Sequence, residues 1–274
     1  MSFVTMGELL KKAQEGHYAV VAPSNKDEIT LRASIDAAEE MHSPVIINLN
    51  YKAHPDIRFF ARMCRDLALE ASVPVALNQD HGAEYEHAMR AIQAGFTAVM
   101  ADRSTLPFEE NIAKVSEIVK VAHACGVTVE AELGHVGYSD KDDMKERALT
   151  VPSEAKEYVE RTGVDCLAVA IGTVHGVYKG TPHIDFDLLH ELRDTVNVPL
   201  VLHGGSGTGE DNLARACREG ICKINIGTDV MQAGRDAVLH SVVHAPHDTL
   251  PFFYEAYKKE LERYMVLFGS KGKA

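Results

Sequence analysis

No basic stripe offsets the 40 Asp and Glu residues of this 274-residue chain, whose net charge is −12. Nucleic acid, which is bound through clustered Lys and Arg, is therefore excluded as a partner. A small anionic ligand is not, because a metal or a few backbone N–H groups can oppose the global field locally. No apolar run approaches the ~18 residues of a membrane span, and the amino terminus lacks the basic and apolar regions of a signal peptide. The five cysteines, Cys64, Cys125, Cys166, Cys217 and Cys222, are odd in number and have no framework spacing. They fall inside helical or strand patterns, as reduced core thiols of a cytoplasmic protein do. There is no low-complexity tract, linker or break in composition, so the expectation is one domain over residues 1–274.

What the chain does contain is strict alternation. Short apolar, largely β-branched runs occur at 18–22, 44–49, 73–77, 97–100, 127–133, 166–171, 199–202 and 221–226. Segments with helical spacing separate them, and several end in glycine (Gly95, Gly126, Gly163, Gly220). Thr5-Met6-Gly7-Glu8 has capping-box spacing and opens a helix predicted to stop at Gly16; Ser153 is the expected cap of a helix over 154–162. Eight β-then-α units predict a parallel sheet closed into an α/β (β/α)8 TIM barrel, with an open doubly wound sheet as the alternative. A further helical pattern over 252–267 reads as a C-terminal extension.

Barrels carry their functional residues at the carboxyl ends of the strands. Three of these strands run into His-Gly: Asp80-His81-Gly82, His175-Gly176 and His203-Gly204. A lone strand-end histidine is usually just a hydrogen-bonded side chain. Three in equivalent places can converge on one ion and leave a fourth position open, the arrangement of a catalytic zinc. Asp80, beside a ligand, suits proton transfer near whatever the metal polarises, or else only orients that ligand. Asp102 and Glu132, at the ends of strands four and five, could take a second metal position, buttress the histidines, or be solvated acids. Gly204-Gly205-Ser206-Gly207 and Asn225-Ile226-Gly227-Thr228 follow strands seven and eight, where barrels often hold phosphate on loop N–H groups and a helix amino terminus.

At these residues the sequence resembles the class II, metal-dependent fructose- and tagatose-bisphosphate aldolases over its whole length. Asp80-His81-Gly82, Leu106-Pro107-Phe108-Glu109-Glu110-Asn111, Val129-Glu130-Ala131-Glu132-Leu133-Gly134, Leu202-His203-Gly204-Gly205-Ser206-Gly207 and Lys223-Ile224-Asn225 carry the resemblance. It implies zinc on His81, His175 and His203, with Asp102 and Glu132 at an alternate or second metal position, and Asp80 as proton carrier. It also implies dihydroxyacetone phosphate held by Gly176, Gly204, Gly205, Ser206, Asn225, Ile226, Gly227 and Thr228. A monovalent cation (Na+ or K+) near that phosphate and a homodimer or homotetramer complete the implication. The departures are specific. Asn78-Gln79 replaces His-Leu, and Ser24-Asn25 replaces Phe-Asn. The acidic loop after strand five is rewritten, so the second proton carrier is either missing or supplied by Asp140. His247 stands where the family has the arginine for a distal phosphate, and Arg103 is a new cation near a strand end. Arg103 and His247 are thus expected to face the distal part of the substrate.

The function expected is an aldolase acting on a ketose 1-phosphate or 1,6-bisphosphate, in which zinc stabilises the enediolate left by carbon–carbon cleavage. The alternatives are a Schiff-base aldolase using Lys223, a metal-dependent hydrolase on a sugar phosphate, and a non-catalytic sugar-phosphate binder.

Overall fold

A computed structural model describes residues 2–137, 149–178, 182–241 and 249–274. Eight parallel strands form one sheet: β1 (Val20–Pro23), β2 (Val45–Asn50), β3 (Val75–Gly82), β4 (Ala98–Ala101), β5 (Thr128–Leu133), β6 (Cys166–Val169), β7 (Leu200–Leu202) and β8 (Ile221–Ile226). Neighbours in sequence pair from β2 through to β8, and β8 pairs with β1. A single parallel bridge between Ser24 and Asn48 spans the remaining seam, which makes the sheet a nearly closed (β/α)8 barrel. The pleat sorts side chains by period two. Along β2, Val45, Ile47 and Leu49 pack outward under the helices, while Ile46 packs inward.

Ten helices are present among the described residues. The first, α1 (Met6–Gly16), starts at the predicted capping box, with the Thr5 side chain accepting from Glu8 N. It buries Met6, Leu9, Leu10 and Ala13 against Val20, Ala76, Ala98, Ala168 and Val201, and so plugs the amino-terminal mouth of the barrel. Small alanines inside the strands leave room for that plug. Gly16 does not stop the helix; His17 does, in a left-handed conformation at φ 52°. Nor does Ser153 cap α6 (Pro152–Thr162). Pro152 takes the first helical position, where its missing N–H costs nothing.

Between the strands lie α2 (Glu28–Met41), α3 (Ile57–Glu70), α4 (Tyr85–Ala94), α5 (Phe108–Ala124), α7 (Phe186–Thr195) and α8 (Glu210–Glu219). α9 (Thr228–Ser241) was not anticipated, and it begins directly at the predicted phosphate loop. α10 (Thr249–Leu267) packs on α9 and α2, and its Tyr257 hydroxyl donates to Ser24 O at 2.8 Å. No helix among the described residues is long and apolar enough to cross a membrane.

Candidate active site

β3 runs further than its apolar stretch. Asp80 and His81 lie within it, and the pairing with β4 slips between Gln79 and Gly82. His81 sits at φ 50°, a left-handed conformation that a non-glycine residue holds at a cost. Gly82 must be glycine, because a Cβ there would stand 2.8 Å from Met100 O. This irregular end turns His81 toward the barrel axis, where it meets His203 from the end of β7 and His175 from the loop after β6. The three rings lie 4.7 to 5.7 Å apart, centre to centre, and nearly edge-on. One ligand atom from each falls within 4.8 Å of the others.

Each imidazole has one nitrogen held by an acceptor. His81 Nδ1 is 2.8 Å from Asp102 Oδ2, His175 Nδ1 is 3.0 Å from Val136 O, and His203 Nε2 is 2.8 Å from Glu130 Oε1. That bond leaves the other nitrogen of each ring facing the common centre, where a neutral imidazole presents its lone pair, the usual arrangement behind metal-bound histidine. His81 Nε2 and His203 Nδ1 are 3.0 Å apart. Two nitrogens bound to one zinc at about 2.0–2.1 Å lie roughly 3.3 Å from each other, so the spacing fits a shared ion. His81, Asp102 and Glu132 form a second possible set. Glu132 Oε1 accepts from Val136 N, whereas its buried Oε2 has no hydrogen-bond partner among the described residues, as suits an alternate cation position.

The carboxylates around the centre separate the three imidazoles electrostatically. Burial alone would lower His81, but Asp80 and the hydrogen-bonded Asp102 outweigh it and lift the imidazole to about 10. His175, desolvated and beside two other imidazoles, falls to about 3. For Asp102, burial pushes upward, yet His81 and Ser104 hold it well below the usual carboxylate range.

Above the centre opens a cleft of about 310 Å³. Asp80, His81, His175, Gly176, Gly204, Ser206, Asn225, Gly227 and Thr228, all singled out from the sequence, line it. Asp80 is 7% exposed, and its Oδ1 accepts from Asn225 Nδ2 at 3.1 Å. Gly204 has φ 67°, and a Cβ on it would come 2.3 Å from Val174 O. Gly205 packs behind the loop on Ile224 and Ile226. Ser206 Oγ accepts from Gly227 N and Asp229 N at 3.3 and 3.2 Å, which ties the β7 loop to the start of α9. That helix points its amino terminus at the cleft, as an anion site requires. A larger hollow of about 610 Å³, lined by Ser104, Asn111 and His135 among others, holds none of the three imidazoles.

Two lining residues were missed. Ser24 was noted only as a departure, and Asn50 not at all. The pleat signals Asn50, since Asn48 and Asn50 share the inward face of β2. Arg103 needs correction. It is 4% exposed, does not line the cleft, and its Nη1 donates to Gly82 O at 2.7 Å and Asp102 O at 2.9 Å. The buried guanidinium satisfies these carbonyls and ties the end of β3 to the residue after β4. Lys223 is likewise no Schiff-base lysine, because it is fully buried with Nζ 2.7 Å from Glu130 Oε2. Asp140 and His247 lie outside the described residues.

Fold and site together define a (β/α)8 barrel with a candidate metal centre at its strand ends. The sequence profile described as "Fructose-bisphosphate aldolase class-II" matches residues 4–273. The chain is 41% identical to a fructose-bisphosphate aldolase of Geobacillus stearothermophilus over 285 aligned positions, covering 100% of this chain and 99% of the relative. A probable fructose-bisphosphate aldolase of Bacillus subtilis is 39% identical, with both chains fully covered. The crystal structure of the YdjI aldolase from Escherichia coli superposes with a TM-score of 0.91 at 37% identity over 99% of each chain. The chain belongs to the class II fructose-bisphosphate aldolase family and is a metal-dependent carbon–carbon lyase.

Proposed function

We propose that the enzyme uses zinc to cleave a ketose 1-phosphate reversibly to dihydroxyacetone phosphate and an unphosphorylated aldehyde. The observation that carries the metal part is the triple arrangement of acceptor, imidazole and inward-facing nitrogen at His81, His175 and His203. When bound there, zinc supplies Lewis-acid stabilisation of negative charge developing on the ketose oxygens. The chain's own groups do the rest. The loop from Gly204 to Ser206 and the amino terminus of α9 hold the phosphate and so fix the position of the reacting carbons. Asp80, steadied by Asn225, accepts the proton of the C4 hydroxyl as the C3–C4 bond breaks and its electron pair moves toward the ketone. In the synthetic direction Asp80 returns that proton. In the cleavage direction C3 of the three-carbon fragment takes a proton from a second acid, for which Asp140 is our candidate.

The substrate part rests on the remaining residues of the cleft. Ser24 and Asn50 line it, a hydroxyl and a carboxamide suited to reading sugar hydroxyls. His247 replaces the arginine that the resemblance places on a distal phosphate, and an imidazole lacks the guanidinium's bidentate, permanent charge. Relatives named fructose-bisphosphate aldolase favour the second reading, a 1,6-bisphosphate. Comparing kcat/KM for fructose and tagatose 1,6-bisphosphates with the matching 1-phosphates decides between them. A monophosphate preference is expected; a bisphosphate preference above ~10-fold, or about 1.4 kcal/mol, supports the second reading.

A further inference from the structure

Two opposite charges sit inside the barrel beneath the metal centre, and neither touches the cleft. Glu130 of β5 and Lys223 of β8 are both 0% exposed, with Lys223 Nζ 2.7 Å from Glu130 Oε2. The other carboxylate oxygen, Oε1, lies 2.8 Å from His203 Nε2, whose side chain is also 0% exposed. We infer that the Glu130–Lys223 pair acts as a positioning device that fixes His203 in its Nε2–H tautomer and thereby selects Nδ1 as the metal-facing nitrogen. This rests on the zinc reading of the site.

The reasoning is one of donors and acceptors. A carboxylate only accepts, so Glu130 Oε1 requires a proton on His203 Nε2, and a neutral ring then carries its lone pair on Nδ1. Nδ1 is the nitrogen 3.0 Å from His81 Nε2, on the side where the three rings converge. In the metal-free form His81 Nε2–H donating to Nδ1 agrees with this choice, and the remaining contact of the ring among the described residues does not decide it. Asn225 Nδ2 is 3.4 Å from both ring nitrogens, so it lies across the imidazole and favours neither. Lys223 occupies the second oxygen of Glu130, which keeps the carboxylate from turning upward to become a ligand itself. A buried pair of this kind adds little to stability relative to apolar residues of the same volume, so its place against His203 points to orientation of the ligand.

The direct test is nitrogen-15 NMR of histidine-labelled wild-type protein loaded with one equivalent of zinc, with His203 assigned by its loss in His203→Gln. The expected pattern is a protonated Nε2 and a metal-bound Nδ1; a protonated Nδ1 overturns the inference. A chelator-competition titration of two neutral double variants gives a second readout. Glu130→Met/Lys223→Met removes the acceptor and should weaken zinc binding about 10–100-fold. Glu130→Gln/Lys223→Met keeps a carbonyl able to accept and should recover most of that loss. Thermal unfolding of the metal-free forms should stay close to wild type. Unchanged zinc affinity in the Met/Met variant, or equal weakening in both, contradicts the inference. Should the Met/Met variant fail to fold, the wild-type spectrum still decides. Absence of any zinc binding by wild-type protein would count against the zinc reading itself, separately from the tautomer.

Discussion

On the zinc reading of the site, the metal must displace a proton from His81. With its imidazole lifted to about 10 by Asp80 and Asp102, His81 is doubly protonated at neutral pH. Its Nδ1–H donates to Asp102 and its Nε2–H to His203 Nδ1 at 3.0 Å, while His203 Nε2–H donates to Glu130. A proton thus stands between the two rings where the metal would bind. The group is raised, so its protonated form dominates below about 10 and is lost as pH rises through that value. Zinc affinity should therefore increase with pH about tenfold per unit, levelling only above about 10. At pH 7 the competition costs about 4 kcal/mol, and between pH 6 and pH 8 the dissociation constant should fall about 100-fold. Calorimetry in buffers of different ionisation enthalpy, combined with competition against a chelator of known pH dependence, measures both proton release and slope. About one proton per zinc is expected at pH 7. A flat dissociation constant over that range, or no proton release, would refute the reasoning.

Three other expectations concern individual side chains. Asp80→Asn should retain zinc and substrate affinity while kcat falls about 10²–10⁴-fold, measured by coupled detection of dihydroxyacetone phosphate; near-intact turnover would move the proton transfer elsewhere. Arg103→Met should leave KM alone but cost about 2 kcal/mol through the abandoned carbonyls of Gly82 and Asp102, lowering the melting temperature by about 4–8 °C; a raised KM with unchanged melting would put Arg103 back in the site. Gly204→Ala, which forces a Cβ against Val174 O, should weaken binding of dihydroxyacetone phosphate at least 10-fold in an equilibrium titration, and unaltered binding would exclude that loop from the phosphate site.

The strand ends were legible because barrel geometry converts a local pattern, apolar run then His-Gly, into a shared location. What lay across the barrel was harder to see. Glu130 and Lys223 are 93 positions apart, and nothing local to either marks them as partners beneath His203. Arg103 looked like a free cation because sequence displays charge but not the carbonyls of Gly82 and Asp102 that enclose it. α9 was overlooked because its start is the phosphate loop itself: Thr228 serves both as a cleft residue and as the first residue of the helix. Asn50 was within reach, since period-two alternation in Val45-Ile46-Ile47-Asn48-Leu49-Asn50 puts it on the inward face with Asn48.

Metal content tests the central claim most directly. Wild-type protein dialysed against zinc and freed of excess should hold about one zinc per chain, and the variant with His81, His175 and His203 all changed to Ala should hold none while keeping its circular dichroism spectrum. Full zinc occupancy in that triple variant would contradict the account.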